Sequence, residues 1–157
     1  MKKLLFIIFL FTCTAGLAQD GKPTKKQTIA FMEKALKAGV GMSYEWRATI
    51  QEVSYDGDLL LIETQLDGKN RTYHCTNLPW EYLDAGSFES DNSYCNFTIH
   101  FSKDYKRKDK YAEYPEQTEF LQALNISIPQ DKIESFKKAC IRLSEIAKEE
   151  NKDPFEN

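Results

Sequence analysis

The chain has 157 residues, with 21 basic side chains, 24 acidic ones and two histidines, for a formal charge of −3. That acidic balance argues against general nucleic-acid binding, which needs a basic face. The length and a hydrophobic fraction of 41% suit one domain with a real core.

Met1 to Ala18 reads as a secretory leader. Lys2 and Lys3 form the basic start, Leu4 to Phe11 is an unbroken apolar run, and Gly16 and Ala18 are the small residues before a cut preceding Gln19. The run is too short to span a bilayer, and no second one follows, so the mature chain is expected to hold no transmembrane segment. A lipoprotein reading would use Cys13, but Phe11 and Thr12 stand before it where small residues are expected. Export to the periplasm or the exterior is therefore the expectation. Lys2 and Lys3 leave with the leader, so 19 basic residues face 24 acidic ones, a formal charge of −5 on residues 19–157. No linker or repeat divides that stretch. It reads as a single α+β domain with a frayed tail from about residue 150.

Thr24 to Lys37 is the first predicted helix. Thr24 with Gln27 three residues on resembles a capping box, Thr28, Phe31, Met32, Ala35 and Leu36 form the apolar face, and Gly39 supplies the stop. From Tyr44 the period changes to two. Tyr44 to Tyr55 reads as one strand, with Trp46, Ala48 and Ile50 on one side and a slip of phase at Glu52–Val53 that signals a bulge. Asp56-Gly57 and Asp67-Gly68 are hairpin turns around a strand from Leu59 to Leu66. Arg71 to Thr76 follows, with Tyr73 and Cys75 inward and Thr72 and His74 outward. Three strands joined by tight turns make an antiparallel meander.

Asn77 to Asp91 is a long connection anchored by Leu78, Trp80, Tyr82, Leu83 and Phe88. Ser93 to Ser102 alternates sharply, with Cys95, Phe97, Ile99 and Phe101 facing one way and Tyr94, Asn96, Thr98 and His100 the other. Lys103 to Lys110 is expected to be a charged, solvated hairpin tip, and Tyr111 to Tyr114 a short strand. Leu124, Ile126 and Ile128 alternate into a last strand. The closing helix runs from Ile128 to about Glu149, with Asp131 as N-cap and Glu134 completing an approximate capping box. Ile133, Phe136, Ala139, Cys140, Leu143, Ile146 and Ala147 make its apolar stripe.

An exported chain meets oxidising conditions, and Cys75, Cys95 and Cys140 remain after processing. Cys75 and Cys95 share the apolar parity of their strands, so they are the favoured pair. Closing that loop would contribute about 3 kcal/mol in the chain-entropy model. Cys140 would remain a buried thiol. The alternative is that all three are reduced core residues.

The order is helix, antiparallel strands, helix. With Thr24-Lys25-Lys26-Gln27-Thr28-Ile29 opening the first helix, the Asn77-Leu78-Pro79 link, and Asp153-Pro154-Phe155 after the last helix, the sequence resembles the small exported proteins of Bacteroidetes-type bacteria that have a pleckstrin-homology-like fold. The resemblance implies a bent meander or partial barrel with the C-terminal helix closing one end. It carries over no functional residues. A phosphoinositide site would want a basic loop between the first two strands, and Tyr55-Asp56-Gly57-Asp58 is acidic. The alternative fold is cystatin-like, which leaves the second helix without a place.

The search for chemistry finds no nucleophile elbow, no phosphate-cradling glycine loop and no paired helical carboxylates. His74 and His100 share the outward parity, but a metal would need a third ligand such as Glu63 or Asp91. His74 and Cys75 are adjacent in a strand and point to opposite faces, which rules out a simple dyad, and a Cys75–His100 dyad fails on the same parity. No cofactor is implied. The aromatic residues Trp80, Tyr82 and Tyr94 are the candidate ligand-binding set, though large side chains in a small β domain more often fill its centre. The leading expectation is a non-enzymatic exported domain that binds a protein, peptide or small ligand. The alternatives are a structural or inhibitory partner of another exported protein, joined by strand addition, and a small enzyme using the two histidines and a metal.

Overall fold

A computed structural model describes residues 21–44, 48–91 and 96–152. Met1–Ala18 with Cys13, together with Trp46, Tyr94, Cys95 and Asp153-Pro154-Phe155, lie outside those residues. The fold is α+β: an N-terminal helix, a curled antiparallel sheet forming a half-barrel, and a C-terminal helix packed on it. No helix among the described residues is long and apolar enough to cross a membrane.

Helix α1 is Lys25–Lys37. The Thr24 hydroxyl accepts from the Gln27 N–H while the Gln27 side chain accepts from the Thr24 N–H, so the capping box forms as expected. Thr28, Met32, Ala35 and Leu36 are buried, whereas Phe31, at the margin of the stripe, is 38% exposed. Gly39 acts by close approach. A Cβ there would lie 2.7 Å from the carbonyl oxygen of Ser127, so only a glycine lets the chain leaving α1 touch the end of the last strand.

The first expected strand is two. β1, Ser43–Tyr44, pairs back on β2, Ala48–Tyr55. The slip of phase is real: the register of β2 against β3, Leu59–Gln65, shifts between Ile50 and Glu52. That shift lets Ala48 and Ile50 before it, and Val53 and Tyr55 after it, all be buried. Gly57 (φ +128°) and Gly68 (φ +78°) turn the chain at the two expected hairpins, into β3 and then β4, Asn70–Thr76. Leu66 falls in the second turn and is 80% exposed, so the strand ends one residue early.

The connection from Asn77 is anchored by buried Leu78, Trp80 and Leu83, with a 3-10 turn at Trp80–Tyr82. It ends in a short strand, β5, Glu89–Asp91, which the pattern missed because all three residues are polar. β6 then runs from Asn96 to Tyr111. This corrects the reading of Lys103 to Lys110 as a hairpin tip. Those residues lie within the strand, and Lys106 to Tyr111 pair along all of Arg71–Thr76 of β4. The alternation is present but charged: Tyr105 and Asp109 are buried and Arg107 half-buried between outward Lys106, Lys108 and Lys110. Of the expected short strand at Tyr111 to Tyr114, Tyr111 ends β6 and the rest is the turn after it, with Ala112 in the left-handed region (φ +46°).

β7, Gln117–Ser127, pairs along β6 but in two registers. His100 lies opposite Ala123 and Tyr105 opposite Leu121, so Phe101 to Asp104 face Gln122 alone. The Tyr105 hydroxyl donates to the Ala123 carbonyl across this break, at 2.9 Å. β5 and β4 both pair with the other edge of β6, one on each side of the break.

Helix α2 is Ile133–Glu150, entered through a 3-10 turn at Gln130–Lys132. Asp131 is therefore not the N-cap. That position is Lys132, with no side-chain cap, and Asp131 pairs with Lys132 at the surface. Ile133, Phe136, Ala139, Cys140, Leu143 and Ile146 are buried as expected. Phe136 meets Phe97 edge to face (ring centroids 5.8 Å apart), and Trp80 meets Phe101 likewise at 5.5 Å. α2 packs on α1 and on the Trp80–Tyr82 turn, and Arg142 Nε donates to the Pro23 carbonyl at 2.9 Å.

Gly39→Ala should destabilise the protein by about 1–3 kcal/mol, because the methyl meets backbone rather than a movable side chain. Gly86→Ala, whose Cβ would make only an ordinary contact with the Asp84 side chain, should stay within about 0.5 kcal/mol of wild type. Urea denaturation of the pair measures both. Equal stability would show that the contact between Gly39 and Ser127 relaxes freely.

Candidate functional site

Beyond the break in β6, the concave face of the sheet turns from apolar to polar. The register places inward residues in rows across four strands. Leu59, Cys75, Arg107 and Glu119 form one row, and Leu61, Tyr73, Asp109 and Gln117 the next. Glu63, Arg71 and Tyr111 form the third. Side chains in a row, and on its diagonals, are near enough to bond.

They do so in pairs. Arg71 donates to Asp109 with Nε and Nη2, at 2.9 and 2.5 Å, a two-pronged contact between guanidinium and carboxylate. Arg107 donates to Glu119 Oε2 from the same two nitrogens, at 3.1 and 2.5 Å. Both guanidinium carbons lie close to the ring centroid of Tyr73, at 5.1 and 5.0 Å. The Tyr73 hydroxyl donates to Glu63 Oε1 at 2.9 Å, and the Gln65 amide donates to the same oxygen at 2.6 Å. Glu63 is 4% exposed and Asp109 5%.

Burial pushes the Glu63 carboxyl above its usual range. The hydrogen bonds from Tyr73 and Gln65 and the charge of Arg71 oppose that push, while the charge of Asp109 adds to it. Burial, aided by the charge of Glu63, drives the Tyr73 phenol well above its own range. The Cys75 thiol is pushed up to about 12 by burial, partly offset by Arg107.

A partly enclosed cavity of about 70 Å³ opens against this array. Its apolar walls are Ile50, Leu59, Leu61, Leu124 and Ile126, and its polar ones include Glu63, Tyr73, Arg107 and Ser127. Ser127 is 3% exposed, and its hydroxyl has no hydrogen-bond partner among the described residues. The space is large enough to hold water or a small ligand.

Of the residues singled out from the sequence, Glu63 and Cys75 line the cavity, whereas the described aromatic candidates lie elsewhere. Trp80 is buried in the core beneath α2, and Tyr82 is 42% exposed, with the Lys103 ammonium 4.7 Å from its ring centroid. Neither lines the cavity. Tyr94 lies outside the described residues. Cys75 is a buried thiol on the cavity wall, its proposed partner Cys95 lies outside the described residues, and Cys140 is a buried thiol under α2. His74 is exposed opposite Leu60 and Lys108, and Glu63 points to the other face of the sheet, so the two cannot share a metal. His100 is half-buried, with Nε2 3.4 Å from Glu89 Oε1, an ion-pair distance without hydrogen-bond geometry. No group of three or more His, Cys, Asp or Glu side chains among the described residues is placed to hold a metal.

The cavity residues were missed because their signal is cross-strand. Tyr105, Arg107 and Asp109 keep the period of two, and Glu63, Arg71 and Tyr73 carry it through the neighbouring strands. The pairing of opposite charges at the inward positions of β4, β6 and β7 becomes visible only once the register is known. Comparison of the chain with protein-family models, curated proteins and solved structures gave no match.

The native state holds the Glu63 proton more tightly than the unfolded chain does. Its contribution to stability is therefore complete at acid pH and is lost as pH rises through the native pKa. Glu63→Gln keeps an acceptor for Tyr73 and removes that loss. The stability of the variant relative to wild type should therefore rise from about pH 3.5, below the ordinary carboxylate range, toward neutrality. Urea denaturation across that range measures the difference, and a flat difference would contradict a raised pKa.

Proposed function

We propose that this protein is an exported, non-catalytic binding domain that holds a small ligand in the concave cavity of its half-barrel. The observation that carries the reading is the cavity itself, with apolar walls and a few polar side chains, Glu63, Tyr73 and Arg107, on its lining. Its volume calls for a small ligand.

A non-catalytic role is supported by the state of the reactive groups. At neutral pH the Cys75 thiol stays protonated, and both half-buried arginines are paired with carboxylates. Export is supported by the pattern of Met1 to Ala18. The curled sheet and closing helix support the resemblance to a pleckstrin-homology-like fold, and we carry that fold as part of the proposal. The ligand is not assigned as a phosphoinositide, because the turn between β2 and β3 is Asp56-Gly57-Asp58.

Intact mass of protein recovered from a bacterial envelope and its medium should show loss of residues 1–18. An uncut chain, or a diacylglyceryl mass on Cys13, would overturn soluble export. For the site, the isotope-labelled mature protein is titrated with n-butanol, n-butyrate and n-butylammonium and followed by amide NMR. At least one probe should saturate in the millimolar range, about −4 kcal/mol, with shifts centred on Leu59, Leu61, Tyr73, Ile126 and Ser127. Absence of saturation by all three would remove the cavity as a binding site.

A further inference from the structure

We propose that the cavity is selective for a small primary ammonium cation carrying a short apolar body, with Glu63 as its counter-ion. This rests on the cavity reading above and names the chemistry that the cavity favours.

The argument is a charge balance over the inward face. Two cations and three carboxylates converge there. Arg71 is committed to Asp109 and Arg107 to Glu119, each through two hydrogen bonds. Glu63 is the remaining carboxylate. Its hydrogen bonds come from Tyr73 and Gln65, which are neutral donors, and the field of Arg71 is offset by that of Asp109. A carboxylate that is 4% exposed calls for a proton or a cation beside it. The cavity provides room for the cation, because Glu63 lies on its wall.

The rest of the lining fits a short aliphatic ammonium. An ammonium has three donors and no acceptor. Glu63, on the cavity wall, can take one of them. Ile50, Leu59, Leu61, Leu124 and Ile126 surround a short hydrocarbon body. A carboxylate ligand would set a second negative charge beside Glu63, while Arg107 already spends Nε and Nη2 on Glu119. A neutral alcohol would fit the walls but leave the charge of Glu63 uncompensated. The expected order is therefore ammonium first, alcohol second, carboxylate last. The groups acting on Glu63 are Arg71 and Tyr73 from β4, Asp109 from β6 and Gln65 from its own strand, and Arg107 of β6 shares the cavity lining. Since a proton competes for the same carboxylate, ammonium binding should weaken as pH falls through the raised pKa of Glu63.

Calorimetric titration of the mature protein with n-butylammonium chloride, n-butanol and sodium butyrate, at neutral pH and matched ionic strength, reads this order directly on the wild type. n-Butylammonium should bind about tenfold or more tighter than butyrate. Glu63→Gln should weaken it by a similar factor while leaving n-butanol within about twofold, and that retained binding also reports that the variant is folded. Butanol or butyrate binding as tightly as the ammonium would overturn cation selectivity while the cavity reading stood, as would indifference of a folded Glu63→Gln to the ammonium. Binding of no probe would overturn both.

Discussion

Strand β6 has to face two interiors from one side of a single chain, and the rest of the fold follows from how it does so. Phe97, Ile99, Phe101 and Tyr105 are buried in the apolar core with the helices and the Trp80 turn, whereas Arg107 and Asp109 face the polar end of the half-barrel. Sixteen residues of regular strand would extend about 50 Å in a gently twisted ribbon. The break in register, where Phe101 to Asp104 face Gln122 alone, redirects the chain instead. Because β5 holds the edge of β6 before the break and β4 the same edge after it, the bend fixes where each of them lies. β3 and β2 then follow β4 through tight hairpins, and the sheet curls.

The two ends of that curl meet different solutions. The apolar end is closed by helices. Met32, Ala35 and Leu36 of α1, with Phe136, Cys140 and Leu143 of α2, join one core with Phe97, Ile99 and Ile128. Gly39 lets the chain after α1 pass against Ser127, so the closure is held by backbone contact as well as by side chains. The exposed pairs that tie the helices, such as Lys25 with Glu150, add little to this, since exposed ion pairs are screened and cost side-chain freedom. Among the described residues, no helix contributes to the cavity lining at the other end. Its inward positions are charged, and charges are tolerable there because each arginine has a carboxylate in reach.

Local signals in the sequence were sufficient for local structure. Thr24 with Gln27, Asp56-Gly57 and Asp67-Gly68 each specify a cap or turn from neighbouring residues alone, and each occurs where the chain places it. The stripe of α2 was legible for the same reason. Its N-cap was not, because Pro129 and Gln130 lead into a 3-10 turn that carries the chain past Asp131. The stretch from Lys103 to Lys110 was misread because charge density outweighed parity. A charged run is usually a solvated tip, but here one face of the run is matched by Arg71, Glu119 and the ring of Tyr73, which lie on other strands. No window of sequence holds that information. The cavity was illegible for the same physical reason: β2, β3, β4, β6 and β7 all contribute to its wall.

A sheet interior built of ion pairs is seldom more stable than an apolar one of the same shape, since desolvation offsets most of the attraction. The polar end of this half-barrel is therefore poorly explained by stability alone. If the array served only to fill space, an even number of opposite charges would be the cheapest arrangement, and Asp109 with Arg71 and Glu119 with Arg107 already form one. Glu63 breaks that balance. It is buried, it is held by neutral donors, and its charged form is disfavoured by its surroundings. Groups held in an unfavourable protonation balance beside a cavity concentrate at sites that bind or react, because the missing compensation is what a ligand can supply. Ser127, another residue of the cavity wall, has a buried hydroxyl with no partner among the described residues. The unmet demand of Glu63 is for charge, the cavity beside it gives room, and the group that meets that demand between apolar walls is a cation with N–H donors and a short hydrocarbon body.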